Sequence, residues 1–131
     1  MRGGRVRREN LGRGKALELP ADVPADRLLI TVAPTGAETT KADCPLLPTT
    51  LTELVETAQR CEQVGAAMIH VHIRDDEHRP TLDQGRLAET VAALREQTGL
   101  VVQLSTGGSV HDPLEDRLRV LDAHPDSCSL T

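Results

Sequence analysis

The chain alternates short apolar runs with longer segments of helical period. Residues 27–33 (RLLITVA) are almost continuously apolar, the pattern of a strand buried on both faces of a parallel sheet. Pro34, Thr35 and Gly36 break the run, and a polar loop follows to Pro48. From Thr50 the period becomes helical. Thr50 and Glu53 have the spacing of a capping box, and Leu51, Leu54, Val55, Ala58 and Cys61 share one helical face. Gly65 suits the stop of that helix. Residues 67–74 (AMIHVHIR) then switch to period two, with Ile69, Val71 and Ile73 on one face and His70, His72 and Arg74 on the other. After a charged loop at 75–80, Asp83 caps a second predicted helix whose buried stripe is Leu87, Val91 and Leu94, with Gly99 beyond its end. Residues 100–104 (LVVQL) form a third strand, and Ser105, Thr106, Gly107, Gly108 and Ser109 follow directly. Asp112 and Pro113 predict a third helix, a cap followed by proline at the first helical position. Leu114, Leu118 and Leu121 supply its apolar face, and Ser127 to Thr131 open a fourth strand.

The predicted order is βαβαβα and a further β. Helices between strands imply parallel pairing and right-handed crossovers, so the class is α/β. The polar stretches after the strands gather at the strands' C-terminal ends, where barrels and open α/β sheets both place their sites. Glu38, His70, His72 and residues 105–109 are therefore expected to share one mouth.

The sharpest chemical signal is His70 and His72. In a strand, residues two apart point the same way, about 6.5–7 Å apart along the chain. Two imidazoles so placed can lean onto one metal ion; the alternative is a pair satisfied by backbone or water. A catalytic zinc site needs a third protein ligand. His78 and His111 lie in loops and have no compelling spacing for that role. Arg74, on the same strand face, is a candidate for holding a carboxylate through two parallel hydrogen bonds, or for an ion pair with Asp75. Glu38 is a candidate substrate contact, or a solvated loop acid. The glycine-rich turn after the third strand lets a ligand approach the backbone, but it lacks the Gly-Lys-Ser/Thr of a phosphate-binding P-loop.

Composition narrows the partners. The chain of 131 residues contains no Phe, Tyr or Trp, so its core is aliphatic and it offers no aromatic platforms for stacking bases. Nucleic acid is not an expected partner. The net charge is -5, yet six of the fifteen Lys and Arg residues fall within the first fifteen positions. Residues 1–25 read as a disordered basic tail, with a phosphate-contacting arm or a transit peptide as alternatives. Residues 26–131 read as one domain. No apolar run reaches the length of a membrane span. Cys44, Cys61 and Cys128 have no metal-binding spacing and read as reduced thiols of a cytoplasmic protein.

Three stretches carry a family resemblance: ITVAPTGA at 30–37, GAAMIHVHIRD at 65–75 and QLSTGG at 103–108. In content, order and approximate spacing the chain from Arg27 onward resembles the β-keto acid cleavage enzymes. The resemblance implies a (β/α)₈ TIM barrel that converts a β-keto acid and acetyl-CoA to acetoacetate and a new acyl-CoA, with Zn²⁺ as cofactor. It implies that His70 and His72 are zinc ligands, that Glu38 contacts substrate, and that Ser105, Thr106 and Gly108 line the pocket. The third zinc ligand of the family, a glutamate, and its acidic base come from the far half of the barrel, so the catalytic residues are expected beyond Thr131. Such a barrel takes about 250 residues. The chain is therefore expected to hold the first three to four βα units, and to be inactive as a fragment of a barrel that forms homo-oligomers when full-length. Another metal-dependent barrel hydrolase or aldolase, and a non-catalytic metal-binding fragment, are the competing readings.

Overall fold

The computed structural model describes residues 28–107 and 112–129. The basic tail at 1–25, Gly108, His111, Leu130 and Thr131 lie outside the described residues. The elements run β1 (Thr31–Val32), α1 (Leu51–Gln63), β2 (Met68–Val71), α2 (Gln84–Gln97), β3 (Val101–Ser105), α3 (Leu114–Leu118), a 3₁₀ turn (Arg119–Ala123) and β4 (Ser127–Ser129). The fourth strand, expected over Ser127 to Thr131, is observed over Ser127–Ser129. The four strands form one sheet in the order β1-β2-β3-β4, and every neighbouring pair is parallel. Sequential order without reversal is what an arc of a barrel requires; a doubly wound sheet reverses at its switch point.

The core lies on one side of this sheet. Ile69 and Val71 of β2 and Val102 and Leu104 of β3 are all buried, and they meet Leu54, Val55 and Ala58 of α1 and Leu87, Val91 and Leu94 of α2. α1 starts as its sequence dictates. The Thr50 hydroxyl accepts from the Glu53 N–H, and the Glu53 carboxylate accepts from the Thr50 N–H at 3.0 Å. Glu53 also accepts from Thr49 N at 2.9 Å and Lys41 Nζ at 2.6 Å. These donors, Lys41 foremost, bring its carboxyl down to about 2. α1 is followed by Gly65 at φ +102°, a left-handed conformation that favours glycine. Asp83 accepts from Arg86 N at 2.9 Å and caps α2. Among the described residues no helix is long and apolar enough to cross a membrane.

Two expectations are corrected at the flanks. The apolar run at 27–33 is not a strand covered on both faces. Within it β1 pairs only at Thr31 and Val32, although the Ile30 carbonyl already accepts from Ala67 N at 3.0 Å. Leu28, Leu29 and Ile30 are 90%, 65% and 51% exposed. β1 is an edge strand, and among the described residues nothing packs on its outer side. The second correction concerns α3. It lasts five residues, with Pro113 at the cap position rather than inside the helix, and then tightens into the 3₁₀ turn. The stripe of Leu114, Leu118 and Leu121 is exposed, and the buried residues are Val120 and Ala123. Residues three apart eclipse one another in a 3₁₀ helix, so Val120 and Ala123 share the buried side of the turn.

Candidate metal centre

The face of the sheet opposite the core is polar. Parallel register places His70 beside Gln103 and Gln103 beside Ser127, and the three side chains join across β2, β3 and β4. Gln103 Nε2 donates to Ser127 Oγ at 3.1 Å. Gln103 Oε1 faces His70 Nδ1 at 2.8 Å. A carbonyl oxygen only accepts, so in this arrangement the His70 proton sits on Nδ1 and its Nε2 presents a lone pair. His70 Nε2 lies 3.2 Å from His72 Nε2, with ring centroids 5.0 Å apart and planes at 71°.

Two converging nitrogens at this spacing need either a proton or a cation between them. Nitrogen ligands on a tetrahedral zinc with bonds of about 2.0–2.1 Å lie about 3.3–3.4 Å apart, close to the 3.2 Å of this pair. The donor chemistry also fits. Burial first, then the charges of His70 and Arg74, lower the His72 imidazole to about 4, against an upward pull from the Gly107 backbone. His72 is thus neutral at neutral pH, the form that binds a metal. Each ring has an oriented partner, His70 in Gln103 and His72 in Gly107, as metal-binding histidines characteristically do. Among the described residues no three His, Cys, Asp or Glu side chains converge as a complete metal cage.

The other candidate residues divide. Arg74 is 4% exposed and donates to three carbonyls of the loop after β1: Ala37 at 2.9 Å, Gly36 at 3.0 Å and Thr39 at 3.1 Å. Asp75 pairs with Arg79 at 2.9 Å, not with Arg74. The guanidinium therefore ties the loop bearing Glu38 to the end of β2, while the Glu38 side chain itself is exposed. Ser105 and Thr106 are buried. The Ser105 hydroxyl accepts from Gly107 N at 3.1 Å, and Thr106 Oγ1 donates to the Ser129 carbonyl at 2.7 Å. Both hydroxyls brace the turn that brings the Gly107 backbone to His72. A cavity of about 240 Å³ lies beside His72 and Arg74, between the start of α1 and the start of α2. His78 sits on its wall with Nδ1 2.9 Å from Thr49 Oγ1. Gln103 and Ser127 escaped the sequence reading. Their signal was a lone polar residue amid the apolar run at 100–104, meaningful only once register sets it against His70.

Residues 27–131 match the beta-keto acid cleavage enzyme family. The chain belongs to that family. It is 37% identical over 106 residues to a 3-keto-5-aminohexanoate cleavage enzyme of Fusobacterium nucleatum, covering 80% of this chain and 39% of that protein. A protein of the same description from Acetoanaerobium sticklandii is 38% identical over the same shares. A 3-oxoadipate:acetyl-CoA acetyltransferase of Cupriavidus necator is 36% identical, with 78% and 36% covered. The chain thus spans about two-fifths of the length of the curated relatives it matches.

Proposed function

We propose that these residues form the first βα units of a zinc-dependent (β/α)₈ barrel that takes a β-keto acid and acetyl-CoA to acetoacetate and a new acyl-CoA. The observation that carries the reading is the convergence of His70 Nε2 and His72 Nε2 at 3.2 Å on the polar face of a sequential parallel sheet, in a member of this family. The relatives' printed activities, keto-acid cleavage and acetyl-CoA acetyl transfer, support the reaction class.

In this proposal His70 and His72 hold the ion. Zinc would supply Lewis-acid polarisation of the substrate's keto oxygen. Arg74 holds the β1 loop so that Glu38 meets the substrate, and Ser105, Thr106 and Gly108 shape the wall around its carboxylate or keto group. An acidic base and a third ligand come from later units of the complete barrel, beyond Thr131. The base removes the α-proton of the keto acid, and the carbanion attacks the acetyl-CoA carbonyl and expels CoA thiolate. The thiolate adds to the keto carbon, and reverse-Claisen cleavage of the original carbon–carbon bond releases acetoacetate and the new acyl-CoA. The enzyme would work in the cytoplasm as a homo-oligomer.

The test has two parts. In a complete barrel containing these residues, acyl-CoA formation is assayed over a panel of β-keto acids with acetyl-CoA. Zinc content is measured by elemental analysis for the native protein, His70→Ala and His72→Ala. Each substitution is expected to abolish both zinc retention and turnover. Undiminished zinc in the double variant would remove the metal assignment.

A further inference from the structure

We propose that Gln103 is a positioning residue for metal ligation. Its amide oxygen holds His70 as the Nδ1–H tautomer, which turns the Nε2 lone pair to the site, and Ser127 anchors the far end of the amide. The inference rests on the zinc reading of His70 and His72 given above.

The geometry is specific to three adjacent strands. His70, Gln103 and Ser127 occupy matching register positions on β2, β3 and β4, so all three side chains leave the sheet on the same face. Gln103 Oε1 meets His70 Nδ1 at 2.8 Å and Gln103 Nε2 meets Ser127 Oγ at 3.1 Å. Turning the amide over would put a donor against Nδ1. His70 would then have to carry its proton on Nε2, where it would block metal binding. The Ser127 hydroxyl accepts the amide N–H at 3.1 Å and anchors the far end of the side chain. This part of the β3 polar face also belongs to the strand that leads into Ser105 and Thr106, so one strand both orients a ligand and shapes the turn at Gly107.

The experiment uses the 131-residue protein, nitrogen-15 labelled. Long-range proton–nitrogen spectra of the metal-free protein report which ring nitrogen of His70 carries hydrogen. The native protein is expected to show Nδ1–H, and Gln103→Leu is expected to move His70 toward Nε2–H. Gln103→Asn, whose shorter amide cannot reach, is expected to do the same and stands in if the leucine variant does not fold. An Nε2–H tautomer in the native protein, or an unchanged His70 spectrum in a folded variant, overturns the proposal.

Zinc affinity is then read by competition with a chromophoric chelator in a complete barrel containing these residues, which supplies the third ligand. Loss of such an outer partner weakens zinc binding by about 10- to 100-fold, and that is the effect expected for Gln103→Leu. Gln103→Glu retains an acceptor and is expected to keep affinity within about 3-fold of native or better, by the same logic. Equal loss in the Leu and Glu variants would show that packing, not acceptance of the Nδ1 proton, is what matters, and would overturn the assignment. If the native complete barrel binds no zinc, the zinc reading fails and the metal-positioning role of Gln103 falls with it, whereas zinc binding with an unchanged His70 tautomer in the Gln103 variants overturns the role of Gln103 alone.

Discussion

The centre and the flanks of this sheet use similar sequence in opposite ways. The apolar residues of β2 and β3 are sealed, with Ile69, Val102 and Leu104 at 0% exposure. The apolar residues before β1 lie open to solvent, and so does the leucine stripe of α3 and the turn after it. The difference is one of partners. β2 and β3 have a strand on each side and helices across one face, whereas among the described residues β1 is paired on one side only. A run of large aliphatics reports that a segment can be buried; contact decides whether it is. The central strands also divide their two faces between tasks, one for the core and one for the His70–Gln103–Ser127 ladder.

The largest effects should separate these regions directly. Ile69→Ala empties a fully enclosed site and is expected to cost about 2–5 kcal/mol, read by urea denaturation. Leu28→Ala should stay within about 0.5 kcal/mol, as for surface positions without special contacts. Comparable losses at the two positions would mean that the edge is covered in solution. Next comes the tie between centre and flank. Arg74→Met strands three loop carbonyls and is expected to cost about 2 kcal/mol, with faster amide exchange in the loop that carries Glu38. Arg74→Lys should recover only part of this, because an ammonium cannot span the same fork of acceptors.

The dependence on pH separates the same two regions. The His72 imidazole is depressed from 6.5 to about 4 and the Glu53 carboxyl from 4.5 to about 2. Both groups bind protons more readily in the unfolded chain, so each contribution is complete above its unfolded value and is lost as pH falls through its folded value. Stability should therefore decline in two adjoining windows, from about pH 6.5 to 4 for the central histidine and from about 4.5 to 2 for the helix cap. Glu53→Gln should flatten only the lower window. Its share is about 1 kcal/mol once solvent screening of an exposed carboxylate is allowed for. A flattened upper window in that variant would show that the two groups do not titrate separately.

Much of the architecture was legible because it is local. The capping box at Thr50 and Glu53, the cap at Asp83, the glycine after α1 and the alternation of Ile69, Val71 and Ile73 with His70, His72 and Arg74 depend on neighbours a few residues away. The flanks misled for the same reason: residues 27–33 and the leucines of α3 have correct local periods, but their burial depends on other parts of the fold.

The sequence by itself determined the order of elements, the all-parallel expectation and the pairing of two histidines on one strand face, because backbone period and chirality act through short-range sterics. Only the tertiary structure decided that Gln103 and Ser127 stand beside His70, that Arg74 grips the loop after β1 rather than Asp75, and that Val120 and Ala123 replace the α3 leucines in the core. Register, long-range hydrogen bonds and helix winding are settled by contacts between segments tens of residues apart, and no local pattern encodes which of those contacts wins.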